Sequence, residues 1–402
     1  MVNKVLLKDI ATIATGSTAP KDKYFSNNGL PFIRAGHLET LIDKNNINEL
    51  PKIDDETGKQ LKLKKVNKGT ILFAKSGMSS TKNRVYICTE DAYIVNHLAA
   101  IIPDSRFIDN YFLKFFLEWF KPSRLIIDES YPSIRTADIG NIEIQLPSLE
   151  NQMKIVKILN KAKLLIKTRK AQIESLDQLT QSVFLEMFGD PVKNEKKWYK
   201  TQIGDISELI TKGESPKWQG FSYVENGIRF ITSENVLMGK LNLTKDKYIP
   251  NEFHDKLKRS QLQEDDLLIN LVGASIGRCA KIDENALPAN INQAVALIRI
   301  NKSKILPDFL LYQLMNDKIQ NQLASSKVEG ARANISLKNI KELQIILPDI
   351  EIQKKFVGII KELKQDSLLL QEGLNNLYNL YNSILGKAFN GDIFTEEKVS
   401  NF

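Results

Sequence analysis

The sequence predicts an α+β protein: two similar mixed α/β domains joined by two long helices that pack on each other as a coiled coil. Three observations carry this. The two halves of the chain match in order, short β-type runs alternate with polar loops early in each half, and each half ends in a sustained heptad seam.

The repeat comes first. Leu7-Lys8-Asp9-Ile10 corresponds to Ile203-Gly204-Asp205-Ile206, and Pro20-Lys21 to Pro216-Lys217. Gly29-Leu30-Pro31-Phe32-Ile33 answers to Gly227-Ile228-Arg229-Phe230-Ile231. Residues 70–73 with Gly77 answer to 266–269 with Gly273, and Asn96 is set against Asn292. Ile144-Gln145-Leu146-Pro147 with Gln152 matches Ile345-Ile346-Leu347-Pro348 with Gln353. The offset drifts only from about 196 to about 201 residues, half the chain, so five matches in order mean duplication.

Within each half, runs such as 70–73, 85–88, 294–300 and 342–347 read as strands, with helical patches at 111–120 and 308–315. After Leu146-Pro147 and Leu347-Pro348 the pattern changes to steps of four and three. The first seam runs Ile155, Leu159, Ala162, Ile166, Arg169, Ile173, Leu176, Thr180, Val183, Met187. The second runs Phe356, Ile360, Leu363, Ser367, Leu370, Leu374, Leu377, Tyr381, Ile384, Ala388. Each seam needs a partner, and the economical arrangement packs the two on each other. Phe188-Gly189-Asp190-Pro191 ends the first helix and Phe389-Asn390-Gly391-Asp392 the second. The expected segments are a first domain at 1–148, a central helix at 149–188, a second domain at 189–349, and a C-terminal helix with tail at 350–402.

Composition narrows the function. Lys+Arg 56 against Asp+Glu 48 gives a net charge of +8, which favours an anionic partner. Cys88 and Cys279 lie in separate halves, against a disulfide scaffold and for a reducing compartment. The N-terminus opens no signal-peptide pattern and the apolar runs are too short for a membrane span, so a cytoplasmic protein without a membrane partner is expected. No phosphate-binding glycine motif, methyltransferase tetrapeptide or metal-spaced Cys/His cluster occurs, and His37, His97 and His254 are scattered. A binding role is therefore favoured over catalysis, with no cofactor or metal held by this chain.

Divergence between the halves points to the binding residues. The shared positions are apolar or turn-forming, whereas the differing ones are polar and basic. In the first half they include Lys21, Arg34, His37, Lys75, Ser76, Ser79, Thr81, Lys82, Arg84 and Arg135. In the second they include Lys217, Thr232, Ser233, Asn235, Ser275, Arg278, Arg332 and Asn334. Lys and hydroxyl groups donate to phosphate oxygens, while Arg and Asn present paired groups that read base edges. Asn96 and Asn292 open apolar strands and are assigned structural hydrogen bonds; Gly77 and Gly273 are assigned turns.

Two variable basic regions, each followed by a helix entered through Leu146-Pro147-Ser148-Leu149-Glu150-Asn151-Gln152 or Leu347-Pro348-Asp349-Ile350-Glu351-Ile352-Gln353, resemble the specificity subunits of type I restriction-modification enzymes. The helix exits Met187-Phe188-Gly189-Asp190-Pro191 and Lys387-Ala388-Phe389-Asn390-Gly391-Asp392 match that family's signatures. The resemblance spans essentially the whole chain, with Gly16 and Gly213 aligning only after a one-residue slip. It implies that each variable region is a target recognition domain reading one half of an asymmetric bipartite site in double-stranded DNA. It also implies a pseudo-two-fold protein whose helices form an antiparallel coiled coil, set the gap and dock two methyltransferase (modification) subunits, with restriction and translocase subunits completing the complex. S-adenosylmethionine and ATP/Mg are then expected on the partner subunits. Two other readings stay open: the specificity subunit of a system in which cleavage and methylation share one polypeptide, and a coiled-coil adaptor without sequence preference.

Overall fold

The computed structural model describes residues 3–44, 46–325 and 334–390. It divides into two compact units, and the division cuts across both long helices. One unit comprises residues 1–170 with 372–402, and the other residues 171–371.

The first unit contains an antiparallel sheet of four strands in the order Ala11–Thr15, Leu98–Pro103, Ile71–Ala74, Val85–Ile87. A second sheet runs Lys52–Ile53, Leu30–Ile33, Ala92–Ile94, Lys65–Val66, with Leu30–Ile33 parallel to Ala92–Ile94. A ribbon of Asn3–Leu6 against Glu143–Leu146 brings the start and the end of the domain together. The second unit repeats this frame. Its antiparallel sheet runs Ser207–Lys212, Val295–Ile300, Leu267–Asn270, Cys279–Lys281, beside a sheet of three strands and a ribbon of Lys200–Gln202 against Gln344–Ile346. The two helical patches become Asn110–Phe120 and Pro307–Met315.

The strand register corrects one detail of the sequence match. Phe32 and Ile33 pair with Tyr93 and Ile94, whereas Phe230 and Ile231 pair with Asn290 and Ile291. Val95, not Asn96, therefore corresponds to Asn292; both donate their backbone N–H to the carbonyl of the isoleucine at 33 or 231. Asn96 is exposed; its backbone N–H donates to the Ser17 carbonyl at 2.8 Å, but its side chain makes no hydrogen bond among the described residues. Asn292 makes one, its side chain accepting from the Ala294 N–H at 3.1 Å, and the fully buried Asn290 bonds to the Ser260 hydroxyl and the Leu257 carbonyl. The corrected register brings Gly16 and Gly213 together without a slip. A Cβ at Gly16 would lie 2.2 Å from the Ile94 carbonyl oxygen, and one at Gly213 1.6 Å from that of Ile291, so both sites exclude any side chain.

The long helices span Leu149–Phe188 and Ile350–Phe389, each 40 residues and about 60 Å long at 1.5 Å per residue. No residue of either heptad seam is exposed; Ile155, Leu159, Ile166, Phe356, Ile360 and Leu374 are buried, and Ile173, Leu176, Val183, Leu363, Leu370, Leu377 and Ile384 are half-buried. In the first unit Ile155 and Leu159 share a core with Leu385, Ala388 and Phe389. In the second, Phe184 and Phe188 share one with Phe356 and Ile360. The start of one helix thus meets the end of the other, an antiparallel pairing. Each helix also ends in the unit that it did not start in. Phe389 packs on Phe112 at 5.2 Å in the first unit, and Phe188 packs on Phe309 at 4.8 Å in the second.

The conserved spacing of the two entry motifs has a physical cause. Gln152 is fully buried; its carbonyl oxygen accepts from the Asp109 N–H at 2.8 Å, and its amide donates to the Phe107 and Pro147 carbonyls, both at 2.9 Å. Gln353 does the same with the Leu306 N–H, the Lys304 carbonyl and the Pro348 carbonyl, at 2.9, 3.3 and 2.8 Å. Asp109 and Leu306 are the N-cap residues of the short helices. Each glutamine thereby joins its long helix to its own recognition region. About three turns further, the matching lysines reach the same short helices at different ends: Lys163 meets Glu118 in the last turn of Asn110–Phe120 at 2.7 Å, and Lys364 meets Asp308 in the first turn of Pro307–Met315 at 3.3 Å.

Replacing Gln353 by Ala strands three buried polar groups, at about 1–3 kcal/mol for each group left unsatisfied. We expect Gln353→Ala to lower the stability of the second unit by about 3 kcal/mol or more. Denaturant unfolding followed by Trp198 and Trp218 fluorescence would measure it, and a loss below about 1 kcal/mol would count against the assigned role.

Candidate nucleic-acid interface

Each unit gathers the divergent loops at the ends of its central strands. In the first, the glycine loop begins after strand Ile71–Ala74 and turns at Gly77, whose φ of +72° is accessible to glycine and strained for other residues. The Gly77 N–H donates to the Pro132 carbonyl at 2.9 Å, and the Ile134 N–H to the Lys75 carbonyl at 2.7 Å. This places 75–84 beside 132–135, segments about fifty residues apart in sequence. The second unit builds the same join: Gly273 has φ +72°, the Ile335 N–H donates to the Leu271 carbonyl at 3.0 Å, and Val272 bridges Asn334.

The sequence candidates divide into two kinds. Lys21, Lys82, Arg135, Lys217 and Arg278 are exposed, and their side chains carry no hydrogen bond or ion pair among the described residues. Asn334 is also exposed, and Lys75, Ser79 and Ser233 are half-buried. Lys82, Arg135 and Arg278 lie on the joined loops and are free to meet an anion. Arg332 lies outside the described residues.

The others are committed to the loops themselves. Thr232 and Asn235 are buried, at 5% and 1% exposure, and their assignment as DNA contacts is corrected. The Asn235 carbonyl oxygen accepts from the Thr232 N–H and hydroxyl, both at 2.9 Å, and its amide donates to the Asn242 and Lys245 carbonyls. Its role is to shape the turn. His37 holds the matching position, its Nδ1 accepting from the Arg34 N–H at 3.2 Å. Arg34 itself lies over the Phe25 ring at 5.3 Å. The Arg84 guanidinium is paired with Glu39 at 2.5 Å. The Ser76 hydroxyl bonds to His97 Nδ1 at 2.7 Å, and Thr81 and Ser275 donate back to the Met78 and Val272 carbonyls.

Sequence reading missed the large apolar residues displayed beside these cations. Met78 is 67% exposed on the glycine loop, Tyr131 is 83% exposed on the adjoining segment, and Trp218 is 77% exposed beside Lys217. The available signal was their setting. Ser130-Tyr131-Pro132 and Pro216-Lys217-Trp218 place an aromatic among turn residues where no strand can bury it. Such groups contact thymine methyls or base faces in nucleic-acid interfaces.

Partial burial, then the Arg34 charge, hold the His37 imidazole below its usual pKa of 6.5. Burial pushes the Cys88 and Cys279 thiols up to about 12, so both are unreactive near neutrality. Among the described residues no group of three or more His, Cys, Asp or Glu is placed to hold a metal ion. No helix among them is long and apolar enough to cross a membrane.

Two loop-built faces of one design, each displaying free cations and exposed aromatics, define a duplicated recognition protein. The family model described as "Type I restriction modification DNA specificity domain" matches residues 2–175 and again 195–378, and the chain belongs to that family. It is 27% identical over 357 residues to the EcoBI specificity subunit of Escherichia coli, covering 81% of this chain and 74% of that one. It is 28% identical over 387 residues to the putative MjaX specificity subunit of Methanocaldococcus jannaschii, covering 89% and 85%. The fold matches the type I restriction-modification S subunit of M. genitalium with a TM-score of 0.53 at 15% identity, over 96% of both chains. It also matches a chain from a structure concerned with complex assembly and conformational transition of the type I R-M system, with a TM-score of 0.65 at 19% identity, over 97% and 98%.

Two outcomes follow for these loops. The lowered His37 pKa means that the neutral ring stabilises the turn above about pH 6.5, and that this contribution is lost as pH falls toward the folded-state value. His37→Asn, which installs the residue of the second domain, should flatten the melting temperature between pH 7 and 5.5 relative to wild type. Arg278→Ala should cost about 1–3 kcal/mol of DNA affinity if Arg278 reads a base, relaxing one position of the target, whereas Lys82→Ala should weaken all sequences alike and lower the salt slope. Binding titrations at several salt concentrations separate the two.

Proposed function

We propose that this chain reads a bipartite, asymmetric DNA site for a type I restriction-modification complex, one half-site per recognition domain. The observation that carries it is a single loop frame, built twice to the same hydrogen bonds, that displays different side chains. The first frame offers Met78, Lys82, Tyr131 and Arg135, and the second Arg278 and Asn334, with Lys217 and Trp218 exposed on a separate turn of the second unit. Unlike side chains on like frames read unlike sequences.

In this reading the chain performs no catalysis. Methyl transfer from S-adenosylmethionine and ATP/Mg-dependent translocation and cleavage are supplied by the modification and restriction subunits. The long helices offer a duplicated docking surface that supports two copies of one partner. Ile158 and Ile359 occupy matching positions and are 42% and 40% exposed; Leu179 and Leu380 match likewise. An apolar residue kept at the same solvent-facing position of both copies fits a surface that a repeated partner covers.

Co-expression with the cognate methyltransferase and mapping of methylated adenines tests the proposal. A gapped, asymmetric methylated motif is expected, and the absence of any new motif would sink it. Ile359→Glu combined with Leu179→Glu changes one docking surface of the two. It should reduce bound methyltransferase from two copies to one in sedimentation analysis, each substitution costing about 1.5–3 kcal/mol of association.

A further inference from the structure

The glycine loop of each reading face lies against a turn from a distant part of the chain: 77–84 against 34–39 in the first domain, and 270–278 against 232–236 in the second. Bidentate base contacts demand that such loops hold a fixed register, to about 0.5 Å. In the second domain one side chain supplies that register. Asn270 is fully buried, and its amide donates to the Ser233 carbonyl at 2.9 Å and to the Val236 carbonyl at 3.3 Å. Its backbone closes the glycine loop as well. The Asn270 N–H donates to the Arg278 carbonyl at 2.9 Å, and its own carbonyl accepts from the Gly277 N–H at 3.0 Å. One residue therefore holds the loop that displays Arg278 and the loop that displays Ser233.

The matching residue of the first domain is Ala74, which has no group to span the gap. There the same two loops are tied by different chemistry, the Arg84 guanidinium meeting Glu39 at 2.5 Å. Arg84 ends the glycine loop, and Glu39 stands in the first turn of helix Leu38–Lys44 that follows the 34–37 turn.

We propose that Asn270 and the Arg84–Glu39 pair are positioning residues for base recognition, each holding the glycine loop of its own domain in register against the neighbouring turn. Neither needs to touch DNA, and each controls the specificity of one half-site only. The inference rests on the DNA-reading role proposed above. It carries a further consequence. The Asn270 tie is buried and neutral, whereas Glu39 is 59% exposed and its pairing is screened by salt. Discrimination at the half-site read by the first domain falls as ionic strength rises, and discrimination at the other half-site does not.

The test uses the intact complex with its methyltransferase and maps methylated sites for Glu39→Gln, Asn270→Ala and Asn270→Asp, the last keeping the shape but losing the donor. Glu39→Gln should raise methylation of singly mismatched sites about tenfold in one half of the motif, and both Asn270 variants should do so in the other half. The exchange Glu39→Arg with Arg84→Glu should restore the first half, a rescue that a merely local packing role would not produce. Relaxation of both halves together, of neither, or failure of the charge exchange overturns the proposal. So does failure of both Asn270 variants to fold and assemble, which would make Asn270 a core residue only. A wild-type complex that yields no motif instead defeats the DNA-reading role itself.

Discussion

A glutamine side chain near the start of each long helix has no access to water and three backbone partners. Such a group tolerates little displacement, because a buried amide that loses its partners recovers nothing from solvent. Gln152 and Gln353 therefore fix each helix against the N-cap residue of a short helix in its recognition region, and the orientation of helix relative to domain follows. The contacts Lys163–Glu118 and Lys364–Asp308 add a second link between each long helix and its short helix.

The exchange of helix ends adds a second constraint. Phe188 leaves the first repeat to pack among Phe309 and Phe356, and Phe389 leaves the second to pack among Phe112, Phe116 and Trp119. Each unit's core therefore includes a segment from the other repeat.

Much of this was legible in the sequence for identifiable reasons. Heptad seams announce themselves because burial recurs at every third and fourth position, and no residue of either seam is exposed. Gly77 and Gly273 were readable as turns because a positive φ selects glycine. Loop side chains were harder. Thr232 and Asn235 look like donors for DNA in a list of polar residues, yet they fold back on their own turn, since a short polar side chain three residues from an N–H caps it as readily as it reaches outward. Arg84 likewise finds Glu39, forty-five positions away in sequence, before any partner arrives.

The sequence by itself determined the duplication, the α+β class and the helical supports, because these depend on periodicity and on matches that survive in the linear order. Its charge excess of +8 favoured an anionic partner. Only the tertiary structure decided which polar residues face outward, that the strand register sets Val95 and not Asn96 against Asn292, and that loops fifty residues apart form one surface. The physical reason is that hydrogen bonds between backbone segments do not depend on side-chain identity. A sequence records which groups a chain carries, but only packing determines which of them are already satisfied.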